Sequence, residues 1–238
     1  MKVLVIPDVH LKPWMFERAS GIMKTTDEID MVVCLGDIPD DWNQQNNIKL
    51  YEDTFDSAIE FAIEFPETLW CYGNHEISYK YNFTESGYSY AAEMVVRKKL
   101  HQLEECVKDK IQYVHKIDNV LFSHAGVSRR FAECVAETEA HYRDIEFVVT
   151  KLNSSTTRNS IWVNDSPIWF RPQLQTQMKT FYPKKLFQVV GHTPMKEPIK
   201  DRGILSCDTF STYPDGSLYG DNVFVIIDTE NWNVIQTF

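Results

Sequence analysis

The 238 residues are 43% hydrophobic and 13% aromatic, which supports a sizeable core and excludes a disordered chain. A formal net charge of −10 argues against non-specific attraction to nucleic-acid backbone, though a locally positive, metal-holding pocket is compatible with it. The first apolar run is too short for a signal peptide and no window has the length of a membrane span, so the expectation is a cytoplasmic protein without a membrane partner, one domain over residues 1–238.

Apolar runs of strand length succeed one another along the chain: 2–6 (KVLVI), 31–35 (MVVCL), 68–72 (TLWCY), 119–123 (NVLFS), 186–190 (LFQVV), 204–207 (ILSC) and 222–228 (NVFVIID). A last run, 233–238, is placed to pair with the one before it. Helical periodicity occupies roughly 14–25, 48–65 and 89–107; in the second, Tyr51, Phe55, Ala58, Ile59, Ala62 and Phe65 form a core-facing stripe. Strands alternating with helices predict βαβ units, and the strand-rich last third predicts a mixed sheet, hence an α/β fold. The five cysteines have no C-x-x-C spacing and read as reduced core thiols. Residues 41–53 and 128–165 are expected to form loops or helices over a site.

The residues directly after each run carry the chemistry. Run 2–6 leads to Asp8 and His10, run 31–35 to Gly36-Asp37 and Asp40, and run 68–72 to Gly73-Asn74-His75-Glu76. Run 119–123 leads to His124, and run 186–190 to Gly191-His192. A single such ending is an ordinary turn or a satisfied histidine. Five in register match the rule that α/β sheets gather ligands at the carboxyl ends of their strands. Carboxylate, imidazole and amide without thiolate suit manganese, iron or zinc in a catalytic setting. Six ligands (Asp8, His10, Asp37, Asn74, His124, His192) are too many for one open metal site and right for two, with Asp37 as the shared carboxylate.

The order Asp-x-His, Gly-Asp-x-x-Asp, Gly-Asn-His-Glu, His, Gly-His resembles the calcineurin-like metallophosphoesterases over residues 1–228. "GNHE", "SHAGV", "IWFRP" and "VVGHTP" are most similar to the phosphoprotein phosphatase branch, in particular small phage protein phosphatases and bacterial diadenosine tetraphosphatases. The resemblance implies central mixed sheets stacked as a β-sandwich, flanked by helices, with the metals at strand carboxyl ends. It implies two divalent ions, manganese first and iron or zinc as alternatives. Asp8, His10 and Asp37 would hold one; Asp37, Asn74, His124 and His192 the other. Hydroxide bridging the ions would attack phosphorus. His75 would act as general acid oriented by Asp40, and Arg171, with His75 and Asn74, would bind the substrate phosphate.

The phosphodiesterase branches read Gly-His-x-His in the last motif, where this chain has Gly191-His192-Thr193-Pro194 and lacks the second histidine. That favours phosphomonoester or pyrophosphate cleavage, with phosphoserine or phosphothreonine in proteins as first choice. A dinucleoside polyphosphate or nucleotide hydrolase is the alternative, and a catalytically weak phospho-ligand binder a reading of another class. Two departures stand out. Leu11 occupies a position where the family has glycine. Asp41 occupies that of a phosphate-binding arginine, so phosphate affinity is expected to fall unless Arg129, Arg130 or a lysine substitutes.

Overall fold

The computed structural model describes residues 1–155, 157–174 and 177–238. Among these, the strands are β1 (Lys2–Ile6), β2 (Met31–Cys34), β3 (Leu69–Cys71), β4 (Ile111–Gln112), β5 (Val114–Ile117), β6 (Val120–Ser123), β7 (Phe187–Val190), β8 (Ile199–Asp201), β9 (Ile204–Ser206), β10 (Val225–Asp228) and β11 (Asn233–Thr237). The helices are α1 (Trp14–Thr25), α2 (Ile48–Glu64), α3 (Asn74–Tyr81), α4 (Glu93–Val107), α5 (Arg129–Ala136), α6 (Glu139–Arg143), α7 (Ile145–Ser155) and α8 (Arg158–Ile161).

The strands form two mixed sheets, ordered β11-β10-β1-β2-β3-β4 and β5-β6-β7-β9-β8. In the first, β1 to β4 run parallel, while β10 lies antiparallel to β1 and, as expected, to β11. In the second, β6, β7 and β9 run parallel between antiparallel edges. The period of two in β1 divides its residues between two cores. Val3 and Val5 join Val33, Leu35 and Cys71 against Phe122, Phe187, Val189 and Leu205 of the second sheet. Leu4 and Ile6 face the other way, onto Met15 and Phe16 of α1 and Phe61 of α2.

Two expectations need correction. Cys106 and Cys134 are exposed, because each falls on the outer face of an amphipathic helix; Cys34, Cys71 and Cys207 are buried. None of the described residues of 128–165 lines the cleft at the strand ends: α7 is tied instead to β4 and β5, where Asn153 hydrogen-bonds Tyr113, Val114 and Gln112. The GNHE stretch follows the end of β3 and opens α3, which begins at Asn74. No described helix is long and apolar enough to cross a membrane.

Candidate active site

The carboxyl ends of β1, β2, β3, β6 and β7 converge, and the loops leaving them bring all six predicted ligands together. His124 Nε2 lies 3.0 Å from Asn74 Oδ1, 3.0 Å from His192 Nδ1 and 3.2 Å from Asp37 Oδ2. His10 Nε2 lies 3.8 Å from the same Asp37 oxygen and 4.0 Å from Asp8 Oδ2. Asp8 accepts the backbone N–H of His192 with both oxygens, at 2.9 and 3.1 Å, which ties the two sheets together at the site.

Backbone carbonyls set the histidine tautomers. His10 Nδ1 donates to the Asp40 carbonyl at 2.8 Å and His124 Nδ1 to the Leu35 carbonyl at 3.0 Å. Each ring therefore turns a bare Nε2 toward Asp37. Asp37 does not divide its oxygens between the two sides. Oδ1 accepts the backbone N–H of His75 at 3.0 Å, and Oδ2 alone faces both His10 and His124.

This donor set fits divalent ions. Lone-pair atoms of carboxylate, amide and imidazole crowd to 3.0–3.2 Å around His124 Nε2, a contact that needs a positive charge among them. Bonds of about 2.1 Å meeting at right angles place neighbouring ligand atoms about 3.0 Å apart. Without an ion, protons take that place. Burial opposes it, but Asp37 and Asp8 raise His124 to about 9. Burial also works against ionised Asp37, yet His124 and His75 hold it well below its ordinary range. Burial drives His192 well below its usual value, leaving a neutral imidazole.

The backbone here is strained. His10, Leu11, Asp37, Asp40 and His192 all have positive φ, between 43° and 67°. Leu11, where the resemblance implies glycine, has φ 56°, in the left-handed region that glycine adopts most readily. Two glycines make room for carboxylates: a Cβ on Gly73 would stand 2.0 Å from Asp37 Oδ1, and one on Gly191 1.9 Å from Asp8 Oδ1.

His75 stands beside this cluster. Its Nδ1 donates to Asp40 Oδ2 at 2.8 Å, and its Nε2 lies 4.0 Å from Asp37 Oδ2. The other Asp40 oxygen accepts hydroxyls from Tyr51 (2.8 Å) and Tyr79 (2.6 Å), so the carboxylate that orients the ring is itself held. Burial opposes a charged His75, but Asp37, Glu85 and Asp40 outweigh it and raise the ring well above its ordinary value. Glu76 explains the last letter of GNHE. Its carboxylate accepts the backbone N–H groups of Gly73 (2.8 Å), Asp37 (3.0 Å) and Ile38 (2.5 Å), pinning the end of β2 to the start of α3.

Arg171 reaches the cleft and is the only Lys or Arg among its described lining residues. One guanidinium nitrogen is anchored on the His192 carbonyl (2.7 Å) and the Thr193 hydroxyl (3.2 Å). Arg129 and Arg130 are exposed, paired with Glu133 and Asp165, and do not line it.

Asp41 corrects a sequence expectation. Its carboxylate also borders the cleft, but it is neutralised by a lysine rather than left as a bare anion. Oδ2 meets buried Lys12 Nζ at 3.1 Å; Oδ1 accepts the Trp42 N–H (2.8 Å) and the Thr212 hydroxyl (3.0 Å). Lys12 also donates to the His10 carbonyl at 3.1 Å, so three segments meet at one ion pair. Asp41→Arg should therefore not restore a phosphate grip. It sets a second cation against Lys12 and should cost up to about 3–5 kcal/mol of stability, the range for breaking a buried pair, less whatever the partial exposure of Asp41 screens. Thermal unfolding together with steady-state kinetics tests this; a lower KM at unchanged Tm would refute it.

Sequence reasoning missed three residues. Asp208, directly after β9, is buried at the cleft and accepts the Ser211 hydroxyl on both oxygens, at 3.0 and 2.9 Å. Lys12 was hidden by its charge. Glu85, in the turn after α3, accepts Asn74 Nδ2 at 2.7 Å.

Comparison with known proteins bears on the fold and the family. A cold-active protein-tyrosine phosphatase of a psychrophilic Shewanella species has a similar fold, with a TM-score of 0.56 at 16% identity over 95% of this chain and 75% of that one. A protein serine/threonine phosphatase from Saccharomyces cerevisiae gives 0.58 at 13% identity, over 100% and 79%. A search of curated protein sequences gives no significant match. The sequence model describing calcineurin-like phosphoesterases matches residues 1–227, nearly the whole chain, and its metal-binding character accords with the donors gathered around Asp37. This chain belongs to the calcineurin-like phosphoesterase family and is a metal-dependent phosphoesterase.

Proposed function

We propose that the protein hydrolyses phosphomonoesters, with phosphoserine or phosphothreonine in proteins as first-choice substrate and manganese as first-choice metal. The observation that carries this is the His75–Asp40 pair, a histidine kept protonated at the edge of the six-ligand cluster. Asp8, His10 and Asp37 would hold one ion, and Asp37, Asn74, His124 and His192 the other. When bound, the two ions would neutralise phosphoryl charge and make water acidic enough to supply a nucleophile near neutral pH.

The chain's own groups do the rest. Arg171 grips a phosphoryl oxygen from a guanidinium braced on His192 and Thr193. Thr193, next to His192 in the last motif, helps brace that arginine. His75, with its Nδ1 proton on Asp40, keeps an Nε2 proton for the leaving oxygen. Trp42, 49% exposed, and Trp169 also line the cleft, and indole rings there favour a nucleotide or dinucleoside polyphosphate as second reading. Turnover of para-nitrophenyl phosphate with manganese would exclude a pure binder. Comparing a phosphopeptide with diadenosine tetraphosphate then decides between substrates; a clear kcat/KM preference for the dinucleotide overturns the first choice.

His75→Asn should lower kcat by about 10²–10⁴-fold, the usual worth of a general acid, with metal content unchanged. Asp40→Asn should cost less. It removes one of the charges that raise the His75 pKa, so the acid loses its proton at lower pH and the basic limb of the profile moves acidward. Elemental analysis showing metal loss in His75→Asn would contradict the assignment.

A further inference from the structure

Glu85 lies in the turn between α3 and α4, against the cleft. Its side chain is only 7% exposed. Oε2 accepts Asn74 Nδ2 at 2.7 Å. Oε1 is buried with no hydrogen-bond partner and faces His75 Nδ1 at 3.7 Å. The opposite end of the Asn74 amide, Oδ1, faces His124 Nε2 at 3.0 Å. Gly87, two residues on, has φ 90°; a Cβ there would lie 3.5 Å from the His75 ring, so the turn runs close against that histidine.

We propose that Glu85 is a positioning residue: it fixes which end of the Asn74 amide faces Asp37 and His124, and so sets the affinity of that side for a metal ion. This rests on Asn74 being a ligand. The two ends of a primary amide are almost the same size, and its terminal torsion is soft and roughly two-fold. Only the oxygen can bind a cation. Without an ion, the flipped amide would turn its N–H groups toward the negative charge around Asp37, while protonated His124 favours the oxygen, so the inner side pulls both ways. A partner on the outer side must decide between the two states. A carboxylate oxygen accepts and does not donate, so Glu85 holds the NH2 end and repels the oxygen. A flip would leave two acceptors facing each other in a buried turn.

The test is manganese binding to metal-stripped protein by calorimetry, which needs no turnover. Glu85→Leu should weaken one of the two sites about 10–100-fold, the usual effect of removing the partner of a metal ligand, and spare the other. Glu85→Gln loses the same charge but keeps an oxygen able to accept from Asn74, so it should bind more tightly than Glu85→Leu. Equal losses in both variants would mean that charge alone acts, and would overturn the proposal. So would unchanged affinities in a folded Glu85→Leu protein. Asn74→Ala separates the two ideas. If it leaves both affinities intact, the ligand reading itself fails. If it weakens one site while Glu85→Leu does not, only the positioning role fails. Combining Asn74→Ala with Glu85→Leu should be no worse than Asn74→Ala alone.

Discussion

Asp37→Asn is expected to abolish tight binding of both metal ions and to lower turnover by on the order of 10³-fold or more, beyond the 10–100-fold typical of a residue that merely supports a ligand. The reason is geometric. One oxygen, Asp37 Oδ2, faces His10 at 3.8 Å and His124 at 3.2 Å. An asparagine keeps its oxygen on the His75 N–H and turns an NH2 group toward those bare imidazole nitrogens. It removes the shared charge and presents N–H where a lone pair is needed. The shape is conserved, so the fold should survive. The metal-free proteins should differ in their pH dependence as well. In the wild type, Asp37 and Asp8 raise His124 to about 9 against burial, so the folded state holds a proton that the unfolded chain releases near 6.5. That stabilisation is complete below about pH 6.5 and lost as pH rises through 9. Asp37→Asn removes most of it, so the two Tm values should converge between those limits. Two tightly bound ions and a near-normal rate in the variant would show that Asp37 is not shared.

The strand ends were legible in the sequence because the fold makes them legible. Strands buried on both faces read as unbroken apolar runs, and the polar residue that ends each run is the one presented at the sheet edge. Thus 2–6, 31–35, 68–72, 119–123 and 186–190 lie within a residue or two of β1, β2, β3, β6 and β7, and 14–25 coincides with α1. β8 gave no signal because all three of its residues are exposed. Asp208 could have been found by the same rule: it comes after the ILSC run as Asp8 comes after KVLVI, but without an adjoining motif it looked like a turn. Glu85 had no such signal, because its contact with Asn74 is made by the path of a turn, which no short-range period encodes. Asp41 shows a different limit. Its charge was plain, but its meaning depends on Lys12, a residue distant in sequence that packing brings within 3.1 Å. A net charge summed over motif positions cannot distinguish an anion facing substrate from one neutralised beneath it.

Of the three glycines that directly precede ligands, Gly73 and Gly191 should respond differently to substitution. Gly73 has φ −92° and ψ 177°, a conformation open to alanine, so only space forbids the change. Its new Cβ would stand 2.0 Å from Asp37 Oδ1 and 2.7 Å from the Asp37 backbone nitrogen. The carboxylate can rotate away; the backbone cannot, because Gly36 at φ 93° is itself packed against Cys71 and Gly73. Gly73→Ala should therefore force β2 and β3 apart at their ends, cost about 1–3 kcal/mol as overpacking does, and lower Tm by roughly 3–10 °C. Displacing the shared Asp37 should also take both metal ions with it. At Gly191 the three nearest atoms all belong to the Asp8 side chain, with Oδ1 at 1.9 Å and Cγ at 3.0 Å, the far end of one side chain. Gly191→Ala should then lose the ion held by Asp8 and His10, retain much of the other, and change Tm far less. Thermal unfolding and elemental analysis of manganese-loaded protein separate the cases. A Gly73→Ala protein with wild-type Tm and two ions would mean that the contact between the β2 and β3 ends is loose, and that these glycines are not what holds the carboxylates in place.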